Sequence, residues 1–472
     1  MKINGKEIIG ISANSKSVKK GFVFVAIKGF RQNGRRFIQE AIDRKASLIV
    51  VEGRKPGGRA FQDVEFLEVK DGRKFLAQAS GQFYGFPADK IKVIGITGTN
   101  GKTTVAYLLE AILKANRKKC GVIGTINYRY GNRIFKAKNT TPGPLELNSI
   151  LAGMLKARAF YCAMEVSSHA LDQQRVGGIT FHSAIFTNLT RDHLDYHKSL
   201  EKYFQAKAKL FKGLDSQALA VINADDKSGR RLQKLTCARR VTYAIRNKAS
   251  VMAKNIKYNI RGTEFLLVFP TATTKIKSSL IGEHNVYNLL AAISWSLSSG
   301  VNLKVIKRAI EKFIAPPGRL EKVGSFGLKN IFVDYAHTDD ALFNVLTALR
   351  PLCKGKIIIV FGCGGERDKG KRPKMGRVAE KLADYLIITN DNPRSEDPLD
   401  IIKDIKKGLL SEDNLCVIPD RALAIKAGLN RVTPDDILLV AGKGHEDYQI
   451  IGNKTSYFDD REEIKKCLKL AN

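Results

Sequence analysis

A chain of 472 residues is too long for one hydrophobic core, and at about 100–200 residues per domain it divides into roughly three. With 44% hydrophobic and 27% charged residues it is globular, no apolar run approaches the roughly 18 residues a membrane span needs, and seven scattered cysteines without a C-x-x-C pair fit neither a disulfide framework nor a zinc site. The 80 Lys+Arg against 46 Asp+Glu give a formal charge of +34, but the surplus is spread evenly, without a basic tail or an RNA-binding aromatic motif; no nucleic-acid partner is expected, and weak attraction to an anionic membrane surface is the most the charge implies.

In chain order, Met1 to Lys16 shows neither a signal-peptide core nor a transit-peptide pattern, so a reducing, cytoplasmic setting is expected. Residues 1–88 predict a small α/β domain, with strands at Phe22–Ile27 and Ser47–Val51 and a helix at Phe37–Arg44. Gly85-Phe86-Pro87-Ala88 then punctuates the chain. Strand Val93–Thr97, a glycine loop from Gly98 to Gly101 and an amphipathic helix to Asn116 open a nucleotide-binding domain. Buried strands at Phe160–Met164, Ala184–Thr187 and Leu219–Ile222, with helices between, predict a mostly parallel sheet. Pro316-Pro317-Gly318 marks a second boundary. Strands at Ile331–Asp334, Lys356–Phe361, Tyr385–Thr389 and Ile437–Ala441 follow. Each ends in a polar or glycine-rich stretch: Tyr335-Ala336-His337, Gly362 to Asp368, Asp391 to Arg394, and Gly442 to Glu446. Ligands of open α/β sheets bind outside the carboxyl ends of the strands, so these stretches are expected to converge. The expected fold is therefore α/β in three domains: 1–88, a central P-loop domain over 89–315, and a Rossmann-like domain over 316–472.

The strongest chemical signal is Gly98-Thr99-Asn100-Gly101-Lys102-Thr103-Thr104, set where a strand hands over to a helix. Glycines let backbone N–H groups crowd a phosphate, the helix N-terminus adds partial positive charge, Lys102 reaches the outer phosphates, and Thr103 offers a hydroxyl to Mg²⁺. Position 96 is Ile, a departure from the strict P-loop pattern. Mg²⁺ wants hard oxygen donors, and Glu165, after Phe160–Met164, is placed to supply one. The run Asn188-Leu189-Thr190-Arg191-Asp192-His193-Leu194-Asp195-Tyr196-His197 predicts a second part of the site, although spacing alone does not choose which member meets metal.

Thr-Asn-Gly-Lys-Thr-Thr (99–104), Asn-Thr-Thr-Pro (139–142), Glu-Val-Ser-Ser-His (165–169), the run 188–197, Tyr-Phe-Gln-Ala-Lys (203–207), His-Asn-Val-Tyr-Asn (284–288), Pro-Gly-Arg-Leu-Glu (317–321) and Asp-Tyr-Ala-His-Thr (334–338) occur in one order over nearly the whole chain. Together they resemble the Mur ligase family. The resemblance implies an ATP-dependent, monomeric ligase of cytoplasmic peptidoglycan-precursor synthesis, which activates a carboxylate as an acyl phosphate. Its first domain would hold the UDP end of a UDP-N-acetylmuramoyl-dipeptide through Ser15 and Phe30, Arg31 and Gln32. The family's usual Asp-Ser-Arg reads Asn14-Ser15-Lys16 here, and Asp-Gly reads Asn33-Gly34. Asn139, Thr140, Thr141, Ser167, Gln173 and Arg175 would hold the dipeptide; Asn285, Arg319 and Asp334 would line the nucleotide pocket. Lys207 fits the family's Tyr-x-x-Ala-Lys spacing for a lysine carbamylated by CO₂, where nearby Lys209 does not. Thr103, Glu165, His193 and the Lys207 carbamate would then share two Mg²⁺. Asp391-Asn392-Pro393-Arg394 resembles the motif of members that add meso-diaminopimelate. Arg394 would grip the distal carboxylate bidentately, Arg367 the other carboxylate, and Gly442 and Glu446 the distal ammonium. Lysine-adding relatives carry no arginine there, and a folylpolyglutamate synthase lacks the domain ahead of the P-loop. A nucleic-acid-binding P-loop ATPase, the reading from another class, predicts nucleic-acid-stimulated ATP hydrolysis.

Overall fold

Three mainly parallel sheets follow one another along the chain in the computed structural model, which describes residues 1–29, 32–57, 64–323 and 330–470. Phe30 and Arg31, two of the expected uridine contacts, lie outside the described residues.

In the first sheet, strands Gly10–Ser12, Phe22–Ala26, Leu48–Glu52 and Phe66–Val69 pair in that order, all parallel. Val23, Val25, Leu48 and Val50 are fully buried, as parallel strands covered on both faces require. The helix expected from Phe37 begins at Ile38. Gly34–Phe37 forms a 3-10 turn instead, because the Asn33 side chain accepts the Arg35 N–H and tightens the entry.

The central sheet has eleven strands. Its parallel core runs Cys120–Ile123, Tyr161–Glu165, Lys92–Thr97, Phe181–Phe186, Leu219–Asn223, Arg239–Ala244 and Val251–Asn259. One end is extended by the hairpin Asn127–Tyr130 and Arg133–Lys136, the other by the antiparallel strands Gly262–Phe269 and Ala272–Ser278. Two apolar layers sandwich it. Ile94 and Ile96 pack with Leu108, Leu109 and Trp295 on one face, and Val93, Met164 and Phe186 with Phe204 and Phe211 on the other. The strand expected at Phe160–Met164 is shifted by one residue: Phe160 is exposed, and Glu165 is a strand residue, fully enclosed. The strand expected at Ala184–Thr187 starts at Phe181 and ends at Phe186. Its polar start is tolerated because the Ser183 hydroxyl accepts the buried Trp295 indole N–H at 2.7 Å.

The third sheet is ordered Glu321–Lys322, Asn330–Asp334, Ile437–Ala441, Ile357–Phe361, Tyr385–Ile388 and Leu415–Val417, parallel except for the first pair. It meets the central unit at the phosphate loop. Asn100 Nδ2 donates to Asp340 Oδ2 at 2.7 Å, Thr190 Oγ1 donates to the same oxygen at 3.0 Å, and Arg319 Nη2 donates to Thr103 Oγ1 at 3.1 Å. Among the described residues no helix is long and apolar enough to cross a membrane.

Candidate active site

The phosphate loop leaves strand Lys92–Thr97 and enters helix Lys102–Ala115. Gly98 has φ +151°, and a Cβ there would meet Thr187 Oγ1 at 1.9 Å; Gly101 has φ +88°, and a Cβ would meet Asn288 Oδ1 at 2.2 Å. Both positions therefore exclude any side chain. The loop is braced by the chain after the neighbouring strand: Thr99 N–H donates to Asn188 O and Asn100 N–H to Asn188 Oδ1, both at 2.9 Å. Lys102, Thr103 and Thr104, whose N–H groups open the helix and lack an intrahelical partner, line the cavity. Lys102 Nζ bends over the loop to Gly98 O (2.9 Å) and Thr99 O (2.8 Å); burial lowers its pKa against the opposing pull of Glu165 and Asp192.

A cavity of about 210 Å³ in front of the loop gathers Glu165, His193, Asn285, Arg319 and Asp334. Glu165 Oε1 accepts Thr103 Oγ1–H and Thr125 N–H, each at 2.9 Å, and Oε2 accepts Thr125 Oγ1–H at 3.0 Å. His193 sits at φ +53°, a conformation uncommon for a residue with a Cβ, and desolvation lowers its pKa against the opposing charge of Asp192, which favours the neutral ring whose nitrogen can meet a cation. Among the described residues no three His, Cys, Asp or Glu side chains are gathered as a metal group; the oxygen and nitrogen donors here are a mixed set that includes Thr103. That set, with a buried carboxylate at its centre, fits a hard divalent ion. Among the described residues Arg319 Nε, buried beside the loop, has no protein partner and is a donor suited to an anion. Burial raises the Asp334 carboxyl to about 6, even though it accepts the N–H groups of Leu320 (2.6 Å) and Ala336 (2.7 Å).

Lys207 lies behind the loop, fully enclosed. Its Nζ donates to Gly98 O at 2.8 Å and stands 4.5 Å from the Tyr203 ring centroid. Burial, and then the charge of Lys102, hold its pKa well below the ordinary lysine value. Lys209, by contrast, is half exposed and paired with Asp172 at 2.8 Å.

Next to Glu165 the structure brings the expected dipeptide residues together, and Thr140 and Ser167 line the same cavity as the loop. Thr141 Oγ1 donates to Glu165 O at 2.8 Å and accepts Ser167 N–H at 3.0 Å; Arg175 Nη1 donates to Thr141 O at 3.1 Å and Arg175 Nε to Gln173 Oε1 at 2.9 Å. Thr141 is fully buried, so its hydroxyl staples the segment Asn139–Thr141 to the strand. Ser15 and Gln32 stand apart. The Ser15 hydroxyl donates to Glu40 at 2.7 Å, Gln32 is exposed, and among the described residues no hydrogen bond joins either to this cluster.

The four polar stretches of the third sheet do converge. Asn392 Nδ2 donates to Glu446 Oε2 at 2.9 Å, a Cβ on Gly442 would meet Asp391 Oδ2 at 2.6 Å, and Gly365 N–H donates to Asn392 O at 2.9 Å. Arg394, at φ +54°, donates from Nη1 to Gly365 O (2.8 Å) and Asn392 O (3.3 Å). Among the described residues its Nε and Nη2 have no protein partner. Arg367 borders the same place, because a Cβ on Gly364 would lie 3.1 Å from Arg394 Nη1 and 3.8 Å from Arg367 Cγ. Burial and the charge of Asp391 raise the Glu446 carboxyl against the pull of Lys443, whose fully enclosed Nζ is 3.5 Å from Glu446 Oε2. The two centres are joined by contacts running from Thr103 through Arg319, which stacks 4.6 Å from the Tyr335 ring centroid, to Tyr335, Glu446 and Asn392.

Sequence reasoning missed Thr125, Asp340, Tyr335 as a bridge, and Lys443. Thr125 follows the end of strand Cys120–Ile123, beside Tyr161–Glu165, and the rule that placed Glu165 at a strand end would have found it.

The same organisation is found in known proteins. Three family models match the chain in order: the Mur ligase family catalytic domain over residues 7–84, the Mur ligase middle domain over 96–295, and the Mur ligase glutamate ligase domain over 318–444. The UDP-N-acetylmuramoyl-L-alanyl-D-glutamate–2,6-diaminopimelate ligase of Clostridium tetani (strain Massachusetts / E88) is 44% identical over 466 residues, 98% of this chain and 95% of that protein. A solved structure described as UDP-N-acetylmuramoyl-L-alanyl-D-glutamate–2,6-diaminopimelate ligase superposes with a TM-score of 0.70 at 31% identity, covering 100% of this chain and 97% of the other. MurF ligase from Thermotoga maritima in complex with ADP shares the fold at a TM-score of 0.67 and 20% identity, over 98% of each chain. With all three domains matched in succession and a relative 44% identical over nearly its whole length, this chain belongs to the Mur ligase family.

Proposed function

We propose that the chain joins meso-diaminopimelate to the D-Glu γ-carboxylate of UDP-N-acetylmuramoyl-L-alanyl-D-glutamate, consuming ATP through an acyl phosphate. The observation that carries this reading is the contact path from Thr103 through Arg319, Tyr335 and Glu446 to Asn392, which joins the residues proposed for phosphoryl transfer to those proposed for the amino acid. Relatives with 42–44% identity over the length of the chain bear the corresponding name. Residues 1–88, 89–315 and 316–472 would act as the UDP-substrate, ATP and amino-acid domains.

A carboxylate does not accept an amine in water, because its oxygen is a poor leaving group; phosphorylation replaces that oxygen with phosphate. The reacting groups are both anions, and the loop N–H groups, Lys102 and Arg319 offset their repulsion. The nucleoside would extend into the larger cavity of about 660 Å³ lined by Asn188, Asn223 and Tyr287, which shares Asn100 and Gly101 of the loop with the smaller one. Mg²⁺, held by Thr103, Glu165, His193 and a Lys207 carbamate, would neutralise charge on the transferring phosphoryl group. Lys207 suits carbamylation because only the neutral amine attacks CO₂, releasing a proton, and burial favours that neutral form. Thr140, Ser167, Gln173 and Arg175 would orient the dipeptide. The incoming amine then attacks the acyl carbon, and phosphate leaves. The Asn100–Asp340 bond joins the two domains at the loop, where closure would keep water from the acyl phosphate.

The test is a panel of amino acids given to the purified chain with ATP, Mg²⁺ and the muramyl dipeptide, read by product mass and ADP. Amide product and ADP should appear together with meso-diaminopimelate. Equal turnover of L-lysine, or ADP release that ignores the acceptor, would refute the reading.

A further inference from the structure

Beside the loops that carry Arg367 and Arg394, an ionic clasp that the ligation chemistry does not use forms around the buried Arg372. Arg372, at the start of helix Arg372–Leu382, is 1% exposed. Its Nη2 donates to both oxygens of Glu396, at 3.0 and 2.9 Å, and its Nη1 to Asp404 Oδ2 at 3.1 Å. Glu396 Oε1 also accepts the Glu366 N–H, and Lys369 Nζ stands 3.4 Å from Oε2. The carboxylate of Glu396 thus ties the loop before Arg367 to the loop after Arg394. The same two loops are stitched by Gly365 N–H to Asn392 O (2.9 Å), Arg394 Nη1 to Gly365 O (2.8 Å) and Ser395 Oγ to Glu366 Oε1 (2.7 Å). They approach so closely that a Cβ on Gly365 would sit 1.9 Å from Pro393 O.

Burying a guanidinium is costly, and here its Nε stays without a partner, so the arrangement is a poor source of stability compared with an apolar side chain of the same size. What it does provide is a fixed distance between two loops. We propose that Glu396, gripped by Arg372, is a positioning residue for amino-acid selection, holding the loops that carry Arg367 and Arg394 in register so that their guanidiniums can meet the two carboxylates of a diacidic amino acid. The inference rests on the diaminopimelate reading above.

The test is steady-state kinetics of E396Q with meso-diaminopimelate and L-lysine as competing acceptors of the acyl group. The glutamine keeps the shape but loses the charge that orders both loops. KM for meso-diaminopimelate should rise roughly 10- to 100-fold, the range for removing groups that orient ligand-binding side chains, while KM for ATP and for the muramyl dipeptide stays put. Preference over L-lysine should fall by a similar factor. D404N removes the other partner of Arg372 but touches neither loop, so it should lower Tm without moving KM for the amino acid. Should E396Q not fold, R372K carries the same test, since it keeps the charge but not the two-pronged grip. A selective wild type whose selectivity survives E396Q, or an equal KM rise in D404N, overturns the positioning role alone. A wild type without preference for meso-diaminopimelate overturns the substrate reading and this inference with it.

Discussion

Replacing Arg394 with Ala isolates the group on which substrate choice turns. Its Nη1 is committed to Gly365 O and Asn392 O, which leaves the edge formed by Nε and Nη2 to meet a carboxylate. Two charge-assisted bonds are worth roughly 1.5–3 kcal/mol each, and the half-buried setting argues for the lower end, about 3 kcal/mol in total. At about 1.4 kcal/mol per factor of ten, kcat/KM for meso-diaminopimelate should fall about a hundredfold. L-Lysine has no second carboxylate, so its own slow turnover should be untouched and the preference should collapse by the same factor. The backbone should hold: Arg394 N–H to Ile450 O (3.1 Å) and Gly452 N–H to Arg394 O (2.7 Å) do not involve the side chain, and Ala bears the strain of φ +54° no worse than Arg. Competition between the two amino acids, read by product mass, measures the ratio directly, with Tm as the control. If both substrates decline together, or the ratio does not move, Arg394 does not read the distal carboxylate.

Lys207→Ala should lower ligation by at least about a thousandfold, wild type should lose activity in CO₂-depleted buffer and regain it with bicarbonate, and formate should partly restore the variant; an active, bicarbonate-indifferent Lys207→Ala would exclude the carbamate. Thr125→Val removes a hydroxyl that bonds Glu165 and Thr140, and should cut kcat about tenfold and raise the Mg²⁺ requirement; a Mg²⁺ titration identical to wild type would contradict this. The Asp334 carboxyl, raised to about 6 by burial, binds its proton more tightly folded than unfolded, so stability is lost as pH rises from 4 to 6. Over that window Asp334→Asn should gain up to about 3 kcal/mol relative to wild type, with no further change above it; urea midpoints that track in parallel would refute the shift.

Much of the architecture was legible because buried parallel strands read as short apolar runs that end in polar loops. Val93–Thr97 and Ile437–Ala441 needed no more than that. Phe181–Phe186 was cut short in the reading because His182 and Ser183 are polar, and nothing local announces that Trp295, 112 residues away, supplies the partner. The strands from Val251 to Ser278 were not anticipated at all. Their solvent face carries Lys254, Lys257, Lys275 and Lys277, which dilute the apolar alternation of Phe265, Leu267 and Ile276. At the site, residue type and position after a strand pointed to Glu165 and to the polar run around His193, while Lys207 came from the family's spacing alone. Thr125, Asp340 and Glu396 carry no such mark, since each acts by holding another residue and is identified only when the folded chain brings the two together.

The bond between Asn100 and Asp340 links the turn that would cradle phosphate to the start of helix Asp339–Leu349 in the third unit. A small molecule seated across that contact would obstruct turnover without imitating the sugar nucleotide or the amino acid. Because Asn100 and Asp340 also line the cavity proposed for the nucleoside, raising ATP would displace it, whereas raising the other two substrates would not.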